Sequence, residues 1–132
     1  MIASEKVLVV DIDGTLCPIK QEHQSYADLP VEAGMHAALV NWHAEGGYII
    51  LATARGMRSN EGNTGTITAT VLPTLVAWLA ANEIPYDELH IGKPWAGRDG
   101  FYIDDRAVRP REFLENDHAA LNALCKRDRI AR

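Results

Sequence analysis

The run VLVVDIDGTL (residues 7–16) carries four apolar residues straight into two aspartates, Asp11 and Asp13. Side chains two apart on an extended chain project to the same face, so both carboxylates can look into one crevice. Further along stand Thr53 and Arg55 in LATAR (51–55), Lys93 in GKPW (92–95), and Asp104 and Asp105 in YIDDR (102–106). Clustered carboxylates repel one another and need a cation. Oxygen ligands from Asp11, Asp13, Asp104 and Asp105 suit Mg²⁺, which prefers six-coordinate oxygen geometry and keeps several waters. A site with Mg²⁺, a lysine and a threonine hydroxyl has a clear chemical complement, a phosphoryl group.

Each of these groups follows an apolar run of strand length. KVLVVD (6–11) is continuous in the manner of a strand buried on both faces of a parallel sheet, and YIILATA (48–54) repeats the pattern. Short strands are expected near LHI (89–91) and over GFYIDD (100–105). Between them, Met35, Leu39 and Trp42 mark a helix over 31–45 that Gly46 stops. Ile67, Val71, Leu75, Trp78 and Leu79 mark a second helix ending near Asn82. Pro73 makes that helix start near Val71 or kink there. Phe113, Leu114, Leu121 and Leu124 predict a last helix. Strands alternating with helices predict an α/β fold with a mostly parallel sheet and right-handed crossovers, in one domain over residues 1–132. In such sheets ligands sit outside the carboxyl ends of the strands, which is where Asp11, Asp13, Thr53, Lys93, Asp104 and Asp105 all fall.

Two plainer explanations of D-x-D-G compete. Asp-Gly closes ordinary turns. An EF-hand loop also begins D-x-D, but it needs a third oxygen ligand, a glycine and a glutamate where this chain has Thr15, Leu16 and Glu22, and it follows a helix rather than a strand. Composition narrows the rest. Thirteen basic against eighteen acidic residues, net charge −5, lack the dominant basic face of a nucleic-acid or membrane-surface binder. Cys17 and Cys125 form no CxxC pair, as expected for free thiols in a reducing compartment. No charged-then-apolar leader precedes the first strand and no apolar run approaches the ~20 residues of a membrane span, so a cytoplasmic protein is expected.

DIDGTLC (11–17), the threonine of LATAR, the lysine of GKPW and the paired acids of YIDDR resemble, in order, the four motifs of the haloacid dehalogenase superfamily. TARGMRSNEGNTG and GKPWAGRDGFYIDDR are also similar to a group of small phosphatase-like proteins encoded with capsular polysaccharide genes. The resemblance implies a Rossmann-like phosphohydrolase domain. It implies Asp11 as the nucleophile that takes the phosphoryl group, and Asp13 as general acid on the leaving oxygen, then base on water. It also implies Thr53 and Lys93 holding phosphoryl oxygens. Asp104, helped by Asp105, would bind Mg²⁺ with Asp11 and the backbone carbonyl of Asp13. Covalent catalysis of this kind splits one hard displacement into two easier ones. Superfamily members often carry a cap domain, but residues 14–33 leave room for a flap only and 56–92 for a loop, a helix and a short strand, so a capless domain is expected. The short spacing from Lys93 to Asp104 departs from the commonest pattern of the superfamily.

Arg55 and Arg58 flank the loop after strand two, where they are expected to meet an anionic substrate, with solvated loop charges as the other reading. Asn60 and Asn63 share that loop in turn-forming roles. Trp95 is expected to pack, with stacking on a sugar or base as the other option, and Arg106 to pair with a neighbouring carboxylate. Trp42 and Trp78 belong to the core. His23 and His90 lack ligand-like spacing. The expected activity is Mg²⁺-dependent hydrolysis of a phosphate monoester, a sugar phosphate or related metabolite of polysaccharide synthesis. A phosphotransferase or mutase with the same intermediate and a catalytically silent phospho-ligand binder are the alternatives. A receiver-type signalling module needs its phosphorylated aspartate at the end of a middle strand, and no aspartate occurs from Ile49 through Asn60. Partners are expected to be a small phosphorylated metabolite and, over an uncapped site, a second copy in a homo-oligomer.

Overall fold

The computed structural model describes residues 5–130. Three strands, β1 (Val7–Val10), β2 (Tyr48–Ala52) and β3 (Glu88–His90), form a parallel sheet in the order β1-β2-β3. Val7 is in register with Tyr48, and Leu51 with Leu89. Helices α1 (Ala33–Ala44), α2 (Thr64–Thr70), α3 (Leu72–Ala81), α4 (Pro110–Glu115) and α5 (His118–Arg127) and one turn of 3₁₀ helix (Tyr26–Asp28) complete the described elements. The fold is therefore α/β, a parallel sheet with flanking helices. The chain divides into two compact units, Met1–Trp95 and Ala96–Arg132.

The core of the first unit is built from alternating strand residues and helical stripes. Ile49 and Leu51 of β2, Leu39 of α1, Ile67 of α2, and Leu75 and Leu79 of α3 are fully buried, joined by Ile12 and Leu16 from the loop after β1. Burying each such side chain contributes about 1.5–3 kcal/mol before entropy is counted. Gly46 ends α1 at φ +87°, the left-handed position a β-carbon disfavours. The helix expected around Pro73 is two helices bent by 50° at Val71. Pro73 lacks the N–H that would continue the ladder, so it opens α3 instead. Asn63 caps α2, its side chain accepting from the Thr66 amide at 3.1 Å, and the Asn60 amide donates to the Gly56 carbonyl at 2.9 Å, so both asparagines serve the loop.

Four expectations are corrected. Residues 100–105 form no strand: Phe101 and Ile103 are 86% and 97% exposed, and the local apolar pattern has no sheet partner among the described residues. The strand-one run is not buried on both faces, since Val9 is 68% exposed. The face that carries Val9, Ile50, Ala52, Glu88 and His90 lines an open groove of about 500 Å³. The single C-terminal helix is two, α4 and α5, because Asp117 starts a new one by accepting from the Ala120 amide at 2.9 Å. Trp78 is core, but Trp42 is only half-buried, its indole laid over Gly47, where a β-carbon would collide with it.

No single helix among the described residues is long and apolar enough to cross a membrane.

Candidate active site

The alternation of β1 continues past its last residue. Ile12 points into the core at 0% exposure, while Asp11 and Asp13 on either side of it reach the surface. The chain then turns tightly: the Thr15 and Leu16 amides both donate to the Ile12 carbonyl, at 3.1 and 2.8 Å, and Gly14 takes φ +86°. This turn aims the Thr15 hydroxyl back at Asp11 Oδ2, 3.4 Å away.

The two carboxylates are matched to different cations. Lys93 Nζ donates to Asp11 Oδ1 at 3.4 Å, with both side chains still in contact with solvent. Asp13 receives a two-pronged grip from Arg55, whose Nη2 donates to Oδ1 at 2.8 Å and whose Nε donates to Oδ2 at 3.1 Å. Such a fork fixes the carboxylate plane as well as its position. The Cys17 thiol lies against the same Oδ1 at 3.7 Å. Burial first, and then the negative charge of Asp13, pushes that thiol up to about 11.

Thr53, expected to hold a phosphoryl oxygen, is 1% exposed. Its Oγ1 accepts from the Arg55 amide at 3.0 Å, which leaves its own proton to donate. The main chain ties the strand ends together here: the Thr53 amide donates to the His90 carbonyl at 2.9 Å and the Lys93 amide to the Thr53 carbonyl at 3.2 Å.

Arg55 departs from expectation. A substrate contact would need its guanidinium at the surface, but the side chain is 2% exposed, its Nε and Nη2 donate to Asp13, and Nη2 also lies 3.9 Å from the Cys17 sulfur. Arg58 is exposed and lies over the Trp95 ring, 5.6 Å from its centroid. Trp95 is itself 46% exposed. His90 bonds to Glu88 at 2.8 Å and His23 is exposed. Asp104 and Asp105 belong to the second unit. There Asp104 Oδ1 accepts from the Arg106 amide at 2.7 Å, and Asp105 Oδ2 from Arg129 Nε at 2.5 Å, which holds the Asp105 carboxyl below its ordinary range. Arg106 thus meets its neighbouring carboxylate through its backbone amide.

Three participants escape sequence reasoning: Thr15, Cys17 and Tyr26. Thr15 is within D-x-D-G-T and could have been found by asking what a turn of that length brings back to Asp11. Tyr26, whose ring centroid lies 4.1 Å from the Arg55 guanidinium carbon, leaves no local signal.

Among the described residues no three His, Cys, Asp or Glu side chains are gathered as a metal-binding group. The donor chemistry of the first unit still fits Mg²⁺, which takes one or two carboxylates and fills its remaining positions with water. The partly exposed Asp11 carboxylate and the Asp13 main-chain carbonyl are oxygen donors of that kind.

No protein-family model matches the chain, and no curated protein does. A solved structure does: the crystal structure of an MCSG target from Vibrio cholerae matches with a TM-score of 0.87 and 41% sequence identity, over 94% of this chain and 99% of that one. At that identity and coverage, the chain belongs to the same family as the Vibrio cholerae protein.

Proposed function

We propose that the chain is a capless, Mg²⁺-dependent phosphohydrolase of the haloacid dehalogenase type, acting in the cytoplasm on a phosphate monoester, a sugar phosphate or related metabolite of polysaccharide synthesis. The observation that carries this reading is the setting of Asp11. A carboxylate open to solvent stands at the end of β1, with a lysine ammonium and a threonine hydroxyl each 3.4 Å from its oxygens. That is a nucleophile beside the groups that can hold an anionic substrate.

The steps follow from the residues. An Asp11 oxygen attacks phosphorus, and the bond from phosphorus to the ester oxygen breaks. Asp13, which enters this step protonated, gives its proton to the leaving oxygen and becomes the carboxylate that the Arg55 fork holds. Asp13 then takes a proton from water, whose oxygen attacks phosphorus and breaks the bond to Asp11, so that phosphate leaves and Asp11 is again a free carboxylate. Lys93 balances the charge on the phosphoryl oxygens, while Thr53, 1% exposed, accepts from the Arg55 amide and supports the site from beneath. Mg²⁺, held by the Asp11 carboxylate and the Asp13 carbonyl, would supply charge neutralisation at the transferring group. Arg58, exposed beside Trp95, is the remaining candidate for an anionic or sugar part of the substrate.

The test is phosphate release from a panel of sugar phosphates, nucleotides and an aryl phosphate, with Mg²⁺ and with chelator. Metal-dependent release is expected, and the preferred compound identifies the substrate class. No release from any compound by folded, Mg²⁺-bound protein contradicts the reading. An uncapped site can be covered by a second copy, so we extend the proposal to a homo-oligomer, which light scattering would test; a monomeric mass at working concentration contradicts it.

A further inference from the structure

We propose that Tyr26 and Arg55 form one positioning device that fixes the carboxylate of Asp13 for proton transfer. The proposal rests on the reading of Asp13 as the proton-transfer group. Arg55 is the most buried cation among the described residues, and a buried guanidinium needs both its charge matched and its N–H groups bonded. It meets the first need entirely with Asp13, through the two bonds at 2.8 and 3.1 Å. Its Cζ lies over the Tyr26 ring, 4.1 Å from the centroid, a close cation–π contact of the kind a guanidinium makes.

Tyr26 is not held by chance. It opens the 3₁₀ turn Tyr26–Asp28, which is pinned to the core on its C-terminal side: buried Leu29 follows, and its carbonyl accepts from Trp78 Nε1 at 2.7 Å. The Glu32 amide then donates to the Leu16 carbonyl at 2.7 Å, closing residues 16–32 into a flap. The chain of contacts therefore runs from α3 through the flap ring and the guanidinium to the Asp13 carboxylate. Each carboxylate oxygen has about two lone-pair directions, and the fork uses one on each. The Cys17 thiol also donates to Oδ1, at 3.7 Å, so the direction left for the proton is on Oδ2, and the Asp13 side chain is 23% exposed.

Arg55 acts through Asp13 and touches no reacting atom in this scheme. A one-ångström misplacement of such a group costs up to about 100-fold in rate. The test compares wild type with Arg55→Lys, Tyr26→Leu and Tyr26→Phe. The expected result is kcat lower by about 10- to 100-fold in Arg55→Lys and Tyr26→Leu with KM within about twofold of wild type, and near-normal kcat in Tyr26→Phe, which keeps the ring. A raised KM with unchanged kcat in Arg55→Lys would make Arg55 a substrate contact and overturn the proposal, as would a fall in thermal stability with unchanged kinetics. A second readout needs no activity: the Arg55 Nε–H proton, observed by NMR, should exchange slowly in wild type and quickly in Tyr26→Leu. Equal exchange in the two overturns the device. If wild type releases no phosphate from any compound, the phosphatase reading fails while this NMR comparison still decides whether Tyr26 immobilises the Arg55–Asp13 pair.

Discussion

Lys93 Nζ lies 3.4 Å from Asp11 Oδ1, an ion pair that joins the ends of β1 and β3 across the intervening strand β2. The pair is built from the backbone up. The Lys93 amide is bound to the Thr53 carbonyl at the end of β2, so the lysine leaves the sheet at a fixed point. Part-buried ion pairs are screened less than surface ones, so the Lys93 charge is felt at Asp11.

Lys93→Met should therefore cost about 10²- to 10³-fold in kcat, the usual loss when one donor to a developing oxyanion is removed. The fold should persist, since the lysine stem is replaced by an apolar one of similar reach. Steady-state kinetics with a circular dichroism check would measure it; a change in KM alone would assign Lys93 to ground-state binding.

Gly92→Ala should impair the same site through the backbone. Gly92 has φ +82°, and a β-carbon there would stand 3.0 Å from Thr64 Cγ2 at the start of α2. The left-handed conformation alone costs an alanine about 1–2 kcal/mol. Urea unfolding should report at least that loss, with lower kcat as Lys93 is displaced. Wild-type stability in the variant would show that the turn relaxes without strain.

Trp78→Phe should loosen the flap. The indole Nε1 is the partner of the Leu29 carbonyl at 2.7 Å in a buried setting, and an unsatisfied buried carbonyl costs about 1–3 kcal/mol. Faster proteolysis within residues 16–32, together with that loss in urea, is the expected pair of results. Unchanged proteolysis would mean that the flap is held by other contacts.

Stability should fall in alkali because of Cys17. The folded thiol is raised from 9.0 to about 11 by burial and then by Asp13. Between those values the unfolded chain has released this proton and the folded chain has kept it, so the folded state is increasingly disfavoured as pH rises through the window. The loss is of order 1–3 kcal/mol across it. Urea midpoints of wild type and Cys17→Ala should diverge as pH rises from about 9, with the wild type falling faster. Parallel curves would contradict this assignment.

Much of the first unit is legible in the sequence because its signals are local. The apolar runs that end at Asp11 and Thr53, the stripe of Met35 and Leu39, and Gly46 after α1 each report their element from within a few residues. Two failures also have local causes. Residues 100–105 carry a strand pattern, but a strand exists only where an edge pairs with it, and no local rule supplies the partner. Pro73 gave two readings, a start or a kink, and the break at Val71 combines them. The pairing of Asp13 with Arg55 spans 42 positions, and Tyr26 reaches Arg55 from a flap with little regular structure of its own. An arginine after a strand end reads as a substrate contact or as a solvated loop charge, and nothing local marks it as a buried partner. Only the folded neighbourhood does.

The central claim is that Asp11 takes the phosphoryl group. Protein mixed with a preferred phosphate monoester and Mg²⁺, quenched in acid within one turnover and digested, should yield a phosphorylated peptide containing Asp11, and Asp11→Asn should yield neither that peptide nor released phosphate. Phosphate release that continues in Asp11→Asn, with no phosphorylated peptide in the wild type, would contradict the account.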